Sequence, residues 1–387
     1  MVRVAEILFK DTLAGTLTET VSGGSRFVYA QDRTAPIACC LPVARREHEW
    51  PQGLHPFFQH LAPEGWLREK QARTADIHEQ DDFGLLLRYG ADCIGAVSII
   101  NDGGNPPSAP VNKESVNPAR TVSGVQKKCL AVKDGNGFSP AGSEGPAPYI
   151  AKFNSENLST LVRNEFLTLR WCAAVLGEGE VTEFKLAHVS GINEQALVVT
   201  RFDRTQGGKK LRLEDFAQIL CKPREQDYSG KYRSSYEEVA HAISEHSSRP
   251  EIDIAKFFRR LIVFSLIGNC DGHLKNFSLL ETDTGLRLSP LYDVVNTVIY
   301  DGYDQNLALP IGGRPIPFES VTRPFLESFG RDIGLPARAI GQTFEQLKRR
   351  VKKATSTIEP PAAEPPDGFV TRFNEIVSGA CLRILAE

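Results

Sequence analysis

Residues 269–276 read NCDGHLKN and residues 288–293 read LSPLYD, each a polar run bounded by apolar ones. Asp271 and Asn276 stand five apart on a loop that leaves an apolar helix, LIVFSLIG. Asp293 follows Asn276 by seventeen residues, behind a short hairpin (NFSLLETDTGLRLSP) of the right length to carry it back beside the Asn. Phosphoryl transfer needs this set of groups. One carboxylate takes a hydroxyl proton, while an Asn oxygen and a second carboxylate hold magnesium against nucleotide phosphates. A lone DxxxxN is more often a capped, solvated turn, so the rest of the chain has to decide.

Within the loop, His273 suits an orienting hydrogen bonder, because Asp271 already fills the role of base. Lys275 suits a phosphate contact and a solvated side chain equally well. Upstream, Lys152 lies in the apolar strand YIAKF, where a buried ammonium is costly unless an anion answers it. In kinase logic such a Lys grips nucleotide phosphates and is aligned by a helix Glu, for which Glu165 is the candidate. The turn TVSGVQKK, residues 121–128, is able to lay backbone N–H groups over phosphates. With a single Gly and no GxxxxGK[ST] it is weak on its own.

Length and composition fit an enzyme of this kind. With 387 residues the chain exceeds one ordinary core and favours two lobes. Apolar residues at 41% and charged residues at 24% exclude a disordered chain. A net charge of -3 excludes a global basic field for nucleic acid or anionic lipid. No apolar run reaches membrane-spanning length, so a cytoplasmic protein without membrane contact is expected. The eight cysteines form no CxxC and no zinc-like spacing with histidine. Most are expected to be buried free thiols, with Cys270 packed beneath the catalytic turn.

Residues 1–100 mix strand-like stretches (AEILF, SRFVYA, IGAVSII) with helical ones (HPFFQHLAPEGWLREKQAR, DDFGLLLRYG), an N-terminal α/β subdomain. Residues 101–120, rich in Asn, Pro, Gly and Ser, read as a linker. Residues 121–203 are β-rich around one helix, EFLTLRWCAAVLG, which Asn164 is placed to cap and Gly177 to end. Residues 204–387 are mainly helical, beginning with LEDFAQIL. The basic run from Lys348 to Thr355 reads as a solvated helix face rather than a DNA contact. The fold class expected is α+β: β-rich in front with an extra N-terminal module, all-α behind.

In this order SGVQKK, IAKF, NE, RFDR, LEDFAQ, GNCDGHLKNFSLL and LSPLYD resemble the blocks of the HipA family of serine/threonine kinases, the toxins of bacterial HipBA modules. The similarity spans Val2 to Leu385. It implies a two-lobed, protein-kinase-like fold that uses ATP and Mg2+. It implies Asp271 as proton acceptor, Asn276 and Asp293 on magnesium, and Lys152 on the phosphates, oriented by Glu165. It implies Thr200, Arg201 and Phe202 as the adenine hinge, with Ser123, Gly124, Val125, Gln126, Lys127 and Lys128 covering the phosphates. The resemblance also implies His273, Lys275 and Tyr292 as members of the nucleotide site. The implied partners are a HipB-like DNA-binding antitoxin, operator DNA through that antitoxin, and a protein substrate in translation such as an aminoacyl-tRNA synthetase.

One departure concerns regulation. HipA kinases commonly carry a loop Ser whose autophosphorylation silences the enzyme, and here that position is Thr121, with Ser123 beside Gly124. Either hydroxyl is a candidate, since a phosphate there competes with those of the nucleotide. Two other functions use the same residues. A small-molecule phosphotransferase shares the Asp, Asn, Asp logic, and a nucleotide-binding corepressor would keep the site without turnover.

Overall fold

Strict alternation drives the first strand. In VAEILF, the side chains of Ala5, Ile7 and Phe9 are buried and Glu6 faces outward, as a pleated strand with one wet face requires. The computed structural model describes residues 2–101, 126–142, 147–155, 157–354 and 368–386. Thr121, Ser123, Gly124 and Val125 of the expected phosphate loop lie outside the described residues, as do all but the first residue of the expected linker. Contacts divide the chain into two units. The first holds residues 1–159, 185–231 and 280–282, and the second holds 160–184, 232–279 and 283–387. Residues 204–231, placed by their periodicity with the helical part, therefore pack in the first unit.

In the first unit β1 (Val4–Phe9), β2 (Thr12–Glu19), β3 (Ser25–Tyr29), β4 (Glu47–Trp50) and β5 (Val97–Asn101) form an antiparallel sheet of order β4-β3-β2-β1-β5. The stretch that spacing predicts as one helix over residues 55–73 is two, α1 (Pro56–Gln59) and α2 (Gly65–Ala75). Pro63 explains the break, because its ring disfavours helical backbone at the residue before it. Helix α3 (Asp82–Tyr89) closes the module, whose core includes Phe27, Phe57, Phe58 and Leu86.

A second sheet, order β7-β6-β8-β10-β9, is built from β6 (Lys128–Asp134), β7 (Gly137–Pro140), β8 (Tyr149–Lys152), β9 (Phe184–His188) and β10 (Gln195–Thr200). Beyond β10, Arg201 grips Asp203 through Nε (3.0 Å) and Nη2 (2.9 Å) and also reaches Asp92 (3.3 Å). Asp203 in turn accepts the N–H of Gly95 at 2.8 Å. Burial pushes Asp203 up, but Arg201 and Arg204 outweigh it and hold the carboxyl below its ordinary range. Such a pair is retained only when fully bonded, and here it ties the residues after β10 to the N-terminal module. LEDFAQIL is not one helix: β11 (Leu213–Asp215) leads into the single turn α5 (Phe216–Ile219), closed by an Asp215–Gln218 capping box.

The second unit is helical: α4 (Leu161–Leu176), α6 (Tyr236–His246), α7 (Pro250–Ile267), α8 (Arg323–Asp332), α9 (Ala337–Ala354) and α10 (Gly368–Leu385). Its core helix α7 buries Phe257, Phe258 and every residue from Arg260 to Ile267, starting on Pro250 and stopping at Gly268 in the left-handed conformation. After α7 and its loop comes the hairpin of β12 (Ser278–Thr282) and β13 (Gly285–Leu288), as its sequence suggests, with residues 280–282 belonging to the first unit. Asn164 does not cap α4. The helix already begins at Leu161, and Asn164 is buried inside it, donating to the carbonyl of Asn296 (2.9 Å) and accepting that residue's N–H (3.0 Å). Gly177 does end the helix. On α9, Arg349, Lys352 and Lys353 are exposed, while Arg350 donates to the terminal α4 carbonyls of Val175 and Leu176. Among the described residues no helix is long and apolar enough to cross a membrane.

Candidate active site

The loop after α7 is fixed by backbone chemistry before any side chain acts. Gly268 (φ 73°) closes the helix, and the N–H groups of Gly268 and Asn269 both point to the carbonyl of Phe264. Thr297 holds the next residues: its N–H donates to the carbonyl of Gly268 (2.9 Å) and its hydroxyl accepts the N–H of Cys270 (2.8 Å). Asn269 Oδ1 then accepts the N–H of Asp271 at 2.8 Å, and the buried Tyr236 hydroxyl donates to the carbonyl of Gly272 at 3.0 Å. Glycine at 272 fits closely against Phe264: a Cβ there would stand 2.8 Å from that ring and displace it. The result is an exposed Asp271 carboxylate on a rigid base, with His273 and Asn276 buried behind it.

Asp271 Oδ1 accepts a hydrogen bond from Tyr232 at 2.8 Å, and the edge of that phenol packs on His273 with ring centroids 5.2 Å apart. Tyr232 ends SGKY, the short 3-10 turn Ser229–Tyr232 without periodicity, so nothing local marks it as a partner of a residue 39 positions away. Asn276 Nδ2 donates to the backbone carbonyl of Asp293 at 2.8 Å. Its Oδ1 is buried and accepts no hydrogen bond. A buried amide oxygen left open beside a second oxygen donor suits a hard cation, so Asn276 and Asp293 are the residues able to hold magnesium. Asp293 has a left-handed backbone (φ 55°), an uncommon conformation for a residue with a side chain and a frequent one at functional turns. Tyr292 donates to the carbonyl of Lys275 (2.8 Å) and meets the Ser278 hydroxyl, locking the two arms of the loop together.

Further out, Asp253 near the start of α7 is fully buried and accepts from Arg287 Nε and Nη2 (2.9 Å each), the Ser247 hydroxyl (2.6 Å) and the Leu288 N–H (3.0 Å). This clamp fixes the strand that leads to Asp293. Cys270 is buried with Val298, Phe318 and Ala380, and burial raises its thiol to about 12, which fits the expected packing role and no nucleophilic one.

The remaining expected residues divide between the units. Lys152 is buried on β8 in the first unit, in register with Lys128 on β6, also buried. Gln126 donates to the carbonyl of Phe153 (2.8 Å) and Lys127 pairs with Glu194 (3.0 Å). At the expected hinge, Thr200 and Phe202 are half-buried, and the Arg201 side chain is committed to Asp203 and Asp92. Glu165 lies fully buried on α4 in the second unit, and Lys275 is half-buried on the loop.

Residues 5–100 match the HipA N-terminal domain and residues 120–355 match the HipA-like C-terminal domain. Y4mE of Sinorhizobium fredii, named as a kinase, is 26% identical over 392 residues, covering 92% of each chain. The serine/threonine-protein kinase toxin HipA of Shewanella oneidensis is 26% identical over 85% of this chain and 83% of its own. In fold the chain matches a HipA chain from the Shewanella oneidensis complex of HipA, HipB and operator DNA, with a TM-score of 0.77, 22% identity, and 98% and 97% of the two chains covered. The blocks around the Asp271 loop and the two family domains in order make this chain a member of the HipA kinase family.

Proposed function

We propose that the chain is an ATP- and Mg2+-dependent protein serine/threonine kinase, the toxin of a module with a HipB-like DNA-binding antitoxin, which arrests growth by phosphorylating a protein of translation in the cytoplasm. The observation that carries the reading is the loop itself: an exposed Asp271 on a rigid turn, with the open Oδ1 of Asn276 and the left-handed Asp293 behind it. When bound, magnesium and ATP supply the phosphoryl group and neutralise the charge that develops during transfer. Asp271 receives the proton of the substrate hydroxyl, and the Tyr232 hydroxyl holds that carboxylate in one orientation. Asn276 and Asp293 hold the metal. Lys152, buried in the strand YIAKF, contacts the nucleotide phosphates, the role that its sequence block implies.

Autophosphorylation of Thr121 or Ser123 switches the enzyme off, and operator DNA is met through the antitoxin. The test is transfer of label from ATP to protein bands in a cell lysate. Asp271→Asn should abolish transfer while ATP binding, followed by nucleotide fluorescence, persists. Transfer by that variant at the wild-type rate would remove Asp271 from its role, and label in metabolites alone would convert the enzyme to a small-molecule kinase. Mapping of phosphosites in an active preparation tests Thr121 and Ser123 separately.

A further inference from the structure

Far from the loop in sequence, Cys40, His55 and Cys221 come together in the first unit, with one sulfur or nitrogen atom of each within 4.8 Å of the others. His55 caps α1: its Nδ1 accepts the N–H of Phe57 at 3.3 Å, which leaves the ring proton on Nε2. That nitrogen stands 3.5 Å from the sulfur of Cys221. The ring therefore points a donor at the sulfur, the arrangement that favours a thiolate. The Cys40 sulfur lies within the same 4.8 Å of the Cys221 sulfur. Together with His55 it draws the Cys221 thiol down to about 5, while the same contact raises Cys40.

The backbone at Cys221 supports a role for its sulfur. Cys221 follows α5 in a left-handed conformation (φ 52°), its N–H donating to the carbonyl of Gln218 and that of Lys222 to Ala217. This is the helix-ending turn in which glycine is the favoured residue. The turn is anchored to α1 at two further points, where Gln218 Nε2 donates to the carbonyl of Phe57 (3.1 Å) and the His60 ring meets the carbonyl of Lys222 (2.9 Å). Both cysteines are partly exposed and His55 is buried. The adjacent Cys39 behaves differently: its thiol donates to Glu214 (3.4 Å), and burial pushes it far up.

We propose that Cys221 and Cys40 form a peroxide-sensitive dithiol, with Cys221 as the attacking thiolate and Cys40 as the resolving thiol. The Cys221 sulfur attacks one oxygen of hydrogen peroxide and the O–O bond breaks. Hydroxide leaves and takes a proton to become water, and Cys221 becomes a sulfenic acid. The Cys40 thiol then attacks that sulfur, the S–O bond breaks, and a second water departs with the Cys40 proton. Two thiols have lost two electrons and one peroxide has been reduced to two waters. The disulfide joins position 40 of the N-terminal family domain to position 221 of the C-terminal one.

The full reduced chain, treated near neutral pH with a small molar excess of hydrogen peroxide, should lose two of its eight free thiols, and non-reducing peptide mass spectrometry should find Cys40 linked to Cys221. Cys221 should react at least about tenfold faster than Cys39. Cys40→Ser should leave a sulfenic acid on Cys221 that dimedone traps, and Cys39→Ser should still form the link. Uniform slow oxidation of all thiols, or a link through Cys39, would overturn the proposal. So would stoichiometric zinc uptake by the reduced wild type that Cys40→Ser abolishes, which would make the cluster a metal site. Both substitutions keep side-chain size, and circular dichroism of each variant excludes unfolding as the cause.

Discussion

Asp253→Asn tests the support beneath the loop. The carboxylate is fully buried and takes four donors, two from Arg287 and one each from Ser247 and Leu288. Asn keeps the shape but loses the charge, and it turns an NH2 toward Arg287 or the Leu288 N–H. Breaking a buried pair from one side costs about 3–5 kcal/mol; the Arg287 side chain is 18% exposed, which places the expectation near ~3 kcal/mol. For a cooperative unit of this size, each kcal/mol moves Tm by roughly 2–4 °C, so the drop should be about 6–12 °C by calorimetry. Burial pushes Asp253 up, and Arg287, Ser247 and the Leu288 N–H together outweigh it, leaving the group below its ordinary 3.8. Its stabilisation is therefore fully present above pH about 4 and is lost as pH falls through the lowered folded value. The gap between wild type and variant should narrow in that acid window and stay constant above it. Added to Asp253→Asn, the substitution Arg287→Met should cost little more, because the pair is already broken. A Tm drop under about 2 °C, or a gap that does not narrow in acid, would refute the clamp.

Tyr232→Phe removes the hydroxyl that donates to Asp271, so kcat should fall about tenfold with the KM for ATP unchanged; an unchanged kcat would mean that the phenol does not position the carboxylate. Gly272→Ala forces a Cβ against the Phe264 ring, and overpacking of about 1–3 kcal/mol should show as a lower Tm together with reduced transfer. Asn276→Ala should raise the magnesium concentration needed for half-maximal transfer at least about tenfold, whereas Asn276→Asp should lower it or leave it unchanged; equal behaviour of the two would detach Asn276 from the metal.

Short-range signals proved readable wherever one physical cause dominates. Short apolar stretches set between turns located β1, β3 and β5, and a buried apolar run ending in glycine located α7 and its loop. The signal failed where a single residue overrode a period. Pro63 splits the expected helix into α1 and α2, and at LEDFAQIL the capping box delays the helix until after a short strand. Contacts made over long separations left no trace in spacing. Tyr232 reaches Asp271 across 39 positions, and Cys40 and His55 meet Cys221 from the other end of the first unit, although no CxxC or His spacing announces them.

Asn164 shows how these two kinds of signal compete. Asn is a good helix cap because its short side chain accepts free N–H groups, and by that rule it belongs at the start of α4. In the fold the helix starts three residues earlier, and the same hydrogen-bonding capacity is turned inward on Asn296. That contact lies three residues beyond Asp293 and beside Thr297, which holds the carbonyl of Gly268 and the N–H of Cys270. One buried amide thus ties the helix that carries Glu165 to the segment that carries Asp293 and braces the Asp271 loop. A cap at the end of a helix would have stabilised α4 alone; placed one turn inside, the residue couples α4 to the segments that carry Asp271 and Asp293 in its own unit. Asn164→Ala should therefore disturb the loop as well as the helix, because it leaves the Asn296 carbonyl and N–H buried without their partners.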